Sequence, residues 1–259
     1  MPLGPEYAML YIGIDDTDTL DDPGTNQLAR HIVRQLAGRF HGRLIARHQL
    51  LDDPRVPYTS KNGCASILLE PRGEPSLASL IDDLRRLMLA WCPLGSDPGL
   101  CVASQVPTVV TEYGLRCQRE LVSQGQARSL AAQCGIHLEG LGGTQDGVIG
   151  ARAAIGLAAT GDDGRVIHLG DSSEDLFDIA GPQSVARLQE LGIAEIRRAD
   201  THEVIRTGLV DVGKRLRPNL RGGRTVLFVA PADESNAAES ALVGTDASVS
   251  AAWQAVRFS

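Results

Sequence analysis

Asp15, Asp16 and Asp18 stand together in the segment Ile12-Gly13-Ile14-Asp15-Asp16-Thr17-Asp18, directly after a short apolar run. Carboxylates this close repel one another, and a loop that holds them at the end of a strand needs a cation to offset the repulsion. Magnesium suits such a place: it is a hard ion that takes oxygen ligands and is shared between one or two carboxylates and the phosphates of a substrate. The hydroxyls of Thr17, Thr19 and Thr25 follow closely enough to position a phosphoryl group or accept one. Further on, Gly142, Gly143 and Gly147 lie in a glycine-dense stretch before an apolar segment, and glycines ahead of a helix let backbone N–H groups approach an anion. The plainer reading of the acids is helix capping by Asp18 and Asp22, with the rest of the run solvated.

The elements that must position these groups can be read from periodicity. Residues 9–14 are an apolar run of strand type, so the carboxylates fall where a strand stops. Leu28, Ile32 and Leu36 recur every four residues, which makes a helical stripe with Thr25 near its start. Strands are expected over 43–50 and 64–69, separated by a polar, proline-bearing loop that contains Ser60, Lys61, Asn62 and Gly63. Leu77, Leu80, Leu84, Leu87 and Trp91 form a helical face closed by Pro93 and Gly95, and a strand over 100–103 completes a further β-α-β layer. One polar helix is expected over 117–134 and an apolar one over 148–159. Beyond them come a strand over 165–169, a helix over 182–191 with Gly192 at its C-terminal cap, and a strand over 225–230. The segment 232–252 is rich in Ala, Ser and acids and reads as marginally ordered, with Trp253, Val256 and Phe258 able to dock its end.

A chain of 259 residues is long enough to fold on its own core, and a formal charge of −7 excludes nucleic-acid binding through a general basic surface, so any such contact must be local. Five cysteines without close pairs read as reduced thiols. No leader and no membrane-spanning run is visible, and a cytoplasmic protein is expected.

Two families share features with these residues. Asp16-Thr17-Asp18-Thr19-Leu20 resembles the nucleophile motif D-x-D-G-T-L of the haloacid-dehalogenase-like phosphatases with one residue missing, and Gly170-Asp171-Ser172-Ser173-Glu174-Asp175 resembles their late metal motif. The second resemblance is broader. Gly13-Ile14-Asp15-Asp16-Thr17-Asp18-Thr19 is similar to the opening G-I-D-D-T-D-S of the archaeal agmatinylcytidine synthetases that modify the anticodon of an isoleucine tRNA. Thr25 stands where that family has an autophosphorylated threonine. In the same order, 43–45, 56–63, 96–99 and 147–156 resemble its R-L-I/V, I-P-Y-K-T-R-G-N, T-N-P-G and G-L-I-G-A-L-A-A-I-G blocks. Ordered blocks over roughly the first 160 residues outweigh two short motifs. The departures are specific. Asp146 replaces an arginine of the family's G-R-G, the family's T-Y-E-L-I-A-Y-R strand has no recognisable counterpart, and no cysteine pairs remain for the zinc ribbon that, with an OB-fold, grips the tRNA.

The resemblance implies an α/β (α+β) protein. Residues 1–175 would be a kinase-like catalytic region with a ferredoxin-like portion around 70–135, 176–231 a C-terminal α/β portion, and 232–259 a tail. It implies an ATP- and magnesium-dependent phosphotransferase or ligase acting on an unidentified small molecule or nucleotide, with tRNA not held tightly. Asp15, Asp16 and Asp18 would be metal ligands and, with Thr25, the catalytic set. Thr17, Thr19, Ser60, Lys61, Asn62, Gly63, Gly142, Gly143 and Gly147 would bind the nucleotide, Lys61 as the phosphate-neutralising cation. The alternatives are a dehalogenase-like phosphatase and a nucleotide-binding regulatory module without turnover.

Overall fold

The computed structural model describes residues 9–19, 24–56, 61–170, 174–232 and 251–257. The protein is of mixed α/β class, and its chain divides into two compact units, Met1–Gly164 and Arg165–Ser259.

The first unit runs β1 (Leu10–Asp15), α1 (Thr25–Leu36), β2 (Phe40–Gln49), β3 (Gly63–Pro71), α2 (Leu77–Trp91), β4 (Gly99–Ala103), α3 (Thr108–Cys117), α4 (Gln124–Gln133), β5 (His137–Gly140) and α5 (Gly147–Thr160). Its strands lie in the order β5-β4-β1-β3-β2, with every neighbouring pair antiparallel. The elements from β1 to β4 form a ferredoxin-like βαββαβ arrangement, so the acidic segment leaves from a central strand.

Alternation along β1 explains the layers. Leu10, Ile12 and Ile14 are fully buried and share one face of the sheet. The opposite face receives α5, which is buried almost all round, as an apolar helix inside a fold must be. Contact there is so close that a Cβ on Gly13 would fall 1.8 Å from the carbonyl oxygen of Ala151. Helix α1 turns Leu28, Ala29, Ile32, Val33 and Leu36 inward, and it packs against β2, β3 and α2.

A buried relay ties three of these elements together. Ser66 Oγ on β3 lies 2.8 Å from His48 Nε2 on β2, whose Nδ1 lies 2.6 Å from Asp163 just after α5. Gln118, at the end of α3, donates to the other oxygen of Asp163 and to the carbonyl of Gln49. His31 stacks on Trp91, with ring centroids 4.7 Å apart.

Of the polar helix expected over 117–134 only 124–133 is helical, as α4, because α3 ends at Cys117 and the chain breaks over 118–123. The break comes from Ser123, whose hydroxyl accepts from the Gln126 amide while the Gln126 side chain accepts from the Ser123 amide, a reciprocal cap that starts a new helix.

The second unit holds β6 (Arg165–Leu169), β7 (Pro182–Ser184), α6 (Val185–Glu190), β8 (Glu195–Arg198), β9 (Leu209–Asp211), β10 (Asn219–Arg221), β11 (Arg224–Pro231) and β12 (Trp253–Ala255). Its strand order is β6-β10-β11-β12-β9-β7, with β8 running parallel to β11. The helix expected over 182–191 begins only at Val185: residues 182–184 pair with β9 instead, and the Ser184 hydroxyl caps the helix by accepting from the Arg187 amide. Of the tail, 253–255 docks as β12 against β11, while 233–250 and Phe258 lie outside the described residues.

Candidate active site

One cavity of about 230 Å³ gathers most of the residues singled out by their chemistry. Asp15, Asp16, Asp18, Thr25, Lys61, Asn62, Gly63 and Gly147 line it, together with Arg55, Glu120, Asp146 and an apolar wall that includes Leu50, Leu51, Val56, Leu121, Val122 and Ile149. Carboxylates come from the end of β1 and the start of α5, cations from the β2–β3 loop, and the apolar wall from the end of β2 and the α3–α4 loop.

Asp15 is the last residue of β1 and points toward α5, where a Cβ on Gly150 would lie 1.8 Å from its Oδ2. Glycine at 150 makes room for the carboxylate. Burial pushes the Asp15 carboxyl up to about 7, Asp16 and Asp18 add to the effect, and a backbone hydrogen bond at Asp16 and the charge of Arg47 oppose it. Asp16 follows with φ of +51°, a left-handed conformation that aspartate tolerates better than most residues. Burial, then Asp97, Asp18 and Asp146, raise its carboxyl to about 6. Asp18 lies against Gly24, where a Cβ would come within 3.2 Å of its Oδ2.

Thr25 is the first residue of α1. The N-cap is Gly24, with no side-chain cap bond, so Thr25 is not held there to cap its helix. Its Oγ1 accepts a 3.0 Å hydrogen bond from the buried Thr17 hydroxyl, which leaves its own proton available to the cavity. Thr17 thus supports Thr25 from beneath and is not itself on the cavity wall. Thr19 is half-buried and outside the wall, and Ser60 lies outside the described residues.

The glycine-dense loop also has a packing role. A Cβ on Gly143 would overlap Asp97 Oδ1 at 1.5 Å, and Gly142 faces Ser96 and Pro98, so the missing side chains admit the 96–98 turn. The amides of Gly147, Val148 and Ile149 already donate to the carbonyls of Asp97, Gln145 and Asp146. Asp97 and Asp146 are the acids that residue patterns did not single out as site groups. Thr144 bridges them, its hydroxyl sharing one proton between Asp97 at 2.8 Å and Asp146 at 3.0 Å, and Gln124 donates to Asp146 at 2.6 Å. For Asp146 the signal lay in its departure from the resemblance, an acid where the family has an arginine. Arg55 was also missed: Asp53 grips its Nε and Nη2 at 2.8 and 2.7 Å and holds the guanidinium at the cavity.

Among the described residues no group of three or more His, Cys, Asp and Glu side chains is set as a metal cage. The donor set still suits a shared magnesium ion, which takes one or two carboxylates and completes its shell with phosphate and water. Two buried carboxylates raised toward neutrality are groups whose charge a cation would restore. Of the dehalogenase-like motifs, Asp171 lies outside the described residues.

No protein-family model matches the chain. Over 156 residues it is 28% identical to an uncharacterized protein of Methanocaldococcus jannaschii, covering 60% of this chain and 51% of that one. Over 153 residues it is 26% identical to TiaS of Pyrococcus horikoshii, a 2-agmatinylcytidine synthetase for an isoleucine tRNA, covering 57% of this chain and 35% of that one. The chain therefore spans about half, or less, of the length of these relatives. The crystal structure of TiaS in complex with its isoleucine tRNA and ATP superposes with a TM-score of 0.51 at 21% identity, over 57% of this chain and 36% of that one, which shows a shared fold. No helix among the described residues is long and apolar enough to cross a membrane. Over its N-terminal 57%, then, this chain is similar in sequence to a 2-agmatinylcytidine synthetase for an isoleucine tRNA and shares its fold.

Proposed function

We propose that the first unit binds ATP with magnesium and uses it to phosphorylate or activate an acceptor that is a small molecule or a nucleotide. The observation that carries this reading is the convergence of Asp15, Asp16, Asp18 and the Thr25 hydroxyl on one cavity that Lys61 and Arg55 also line. Homology to a synthetase whose relative was solved with ATP and an isoleucine tRNA supports it.

In this reading Asp15, Asp16 and Asp18 hold the metal, which when bound neutralises phosphate charge. Lys61 and Arg55 neutralise the same charge from the loop, Arg55 as a pre-set fork and Lys61 as a point charge. Asn62 and Gly63 lie beside them at the mouth of β3. The apolar wall formed by Leu50, Leu51, Val56, Val122 and Ile149 suits a base or the carbon frame of an acceptor. Thr25 sits at the open end of α1, where free N–H groups and the helix dipole favour an arriving phosphate, and its hydroxyl is the oxygen that takes or positions the phosphoryl group. The chain's charge of −7 leaves it no general attraction for tRNA.

Calorimetry of ATP binding with and without magnesium tests the assignment. Affinity should fall by at least about tenfold on chelation and in Asp16→Asn, since removing a ligand charge removes what fixes the metal. ATP affinity indifferent to chelator would sink it.

A further inference from the structure

The second unit pairs many of its arginines with acids. Arg187 lies on Glu174 and Glu190, Arg197 and Arg224 share Glu195, and Arg198 lies on Asp200. Arg215, Arg217 and Arg257 differ: among the described residues none of them is joined to a carboxylate.

The backbone sets Arg215 and Arg217 side by side. Between β9 and β10 burial alternates, with Leu216 and Pro218 inside and Arg215 and Arg217 toward the surface. The Leu216 amide donates to the Ile179 carbonyl at 2.9 Å, which anchors the strip beside residues 177–179. Arg215 lies over the Phe177 ring, 5.0 Å from its centroid. Arg217 has a buried Nε that meets no hydrogen-bond acceptor. Arg257, two residues past β12, lies near enough for its charge to bear on Arg217. Burial, then the like charges of Arg257 and Arg215, hold the Arg217 guanidinium below its ordinary range.

Three guanidinium groups gathered without a carboxylate call for an external anion, and their planar forks match phosphate oxygens. We propose that Arg215, Arg217 and Arg257 form a binding site for the phosphodiester backbone of single-stranded RNA, with the Arg215–Phe177 stack as a platform for a base. A strand is favoured because a polyanion must be held locally on a chain of net charge −7, and a stacked guanidinium beside an aromatic ring is a surface on which unpaired bases settle. The site lies wholly in the second unit, outside the span of the synthetase homology, and does not depend on the ATP reading. With only three cations the hold is weak and strongly salt-dependent.

The test is fluorescence anisotropy of a labelled single-stranded RNA oligonucleotide titrated with the full chain, in the absence of ATP and magnesium, over a series of salt concentrations. Three phosphate contacts give a slope of log K against log salt of about −2, so a fourfold rise in salt should weaken binding about 15-fold. The variant with all three arginines changed to alanine should lose this dependence. Arg257→Gln, an exposed change that leaves the half-buried Arg217 in place, should lower the slope by about 0.7. Arg224→Ala, whose residue is engaged by Glu195, should leave it unchanged. Absence of salt-dependent binding in the wild type, equal binding by the triple variant, or displacement of the RNA by inorganic phosphate at matched ionic strength would each overturn the proposal.

Discussion

Thr25 opens α1 with its hydroxyl on the cavity and its oxygen accepting from Thr17 at 3.0 Å, and the competing chemistries of the site separate at this residue. A threonine that takes phosphate forms a stable ester, whereas a dehalogenase-like aspartyl nucleophile forms a labile acyl-phosphate. Incubation with ATP and magnesium is expected to add one phosphate to the wild type and none to Thr25→Ala, as read by intact mass. A modification that survives Thr25→Ala but vanishes in Asp16→Asn would assign the nucleophile to the carboxylate. A wild type that consumes ATP without gaining mass would leave Thr25 as a positioning group. Because Gly24 is the N-cap, loss of the Thr25 side chain should cost less than the about 1 kcal/mol of a lost cap, so activity and stability should part company in this variant.

Helix α5 carries a departure that bears on stability. Arg152 is fully buried, its guanidinium carbon lies 3.9 Å from the centroid of the Tyr113 ring, and its three side-chain nitrogens meet no hydrogen-bond acceptor. A buried charge so placed is costly, and burial draws its protonation below the ordinary range. Arg152→Leu, the residue found at this place in the resembling family, should raise the melting temperature, by an amount equivalent to about 1–4 kcal/mol. A lower melting temperature would show that the contact with the Tyr113 ring outweighs the cost of burying the cation.

Elements such as α1, α2, α5 and β1 were legible because their apolar spacing is set by burial on one face or, in α5, on all sides. The three-residue strands β7, β9, β10 and β12 were not, since pieces of that length carry no period and exist through their partners. The same contrast holds in the site. The run from Asp15 to Thr25 announces itself in sequence, but Asp146 and Arg55 reach the cavity, and Asp97 bears on Asp16 from behind it, only through tertiary packing of the α5 entry, the Asp53 grip and the 96–98 turn. At Gly142 and Gly143 the composition is that of a tight turn whether it faces a ligand or a neighbouring turn, and only the packing shows that the missing side chains admit the 96–98 turn.

For the whole molecule, the acidic site should leave a signature in stability against pH. Asp15 and Asp16 are raised in the folded state to about 7 and about 6 from the ordinary 3.8, so the native chain binds more protons than the unfolded one between these values. Unfolding free energy in magnesium-free buffer should therefore fall as pH rises from about 4 to about 7 and level off above. Lowered carboxyls such as those of Asp53 and Asp200, at about 2, act in the opposite sense and below that window. Melts at successive pH values should show the decline, and excess magnesium should remove most of it near pH 7. A stability flat across this range would mean that the carboxylates are already compensated.

The two units are also optically separable. The chain has two tryptophans, and they are shared one to each unit: Trp91 ends α2 against His31, and Trp253 begins β12 with Arg198 lying 5.6 Å from its ring centroid. Emission from Trp253→Phe would report only the first unit, and emission from Trp91→Phe only the second, so denaturation or ligand titration of each half can be followed by fluorescence in the intact chain without an added dye.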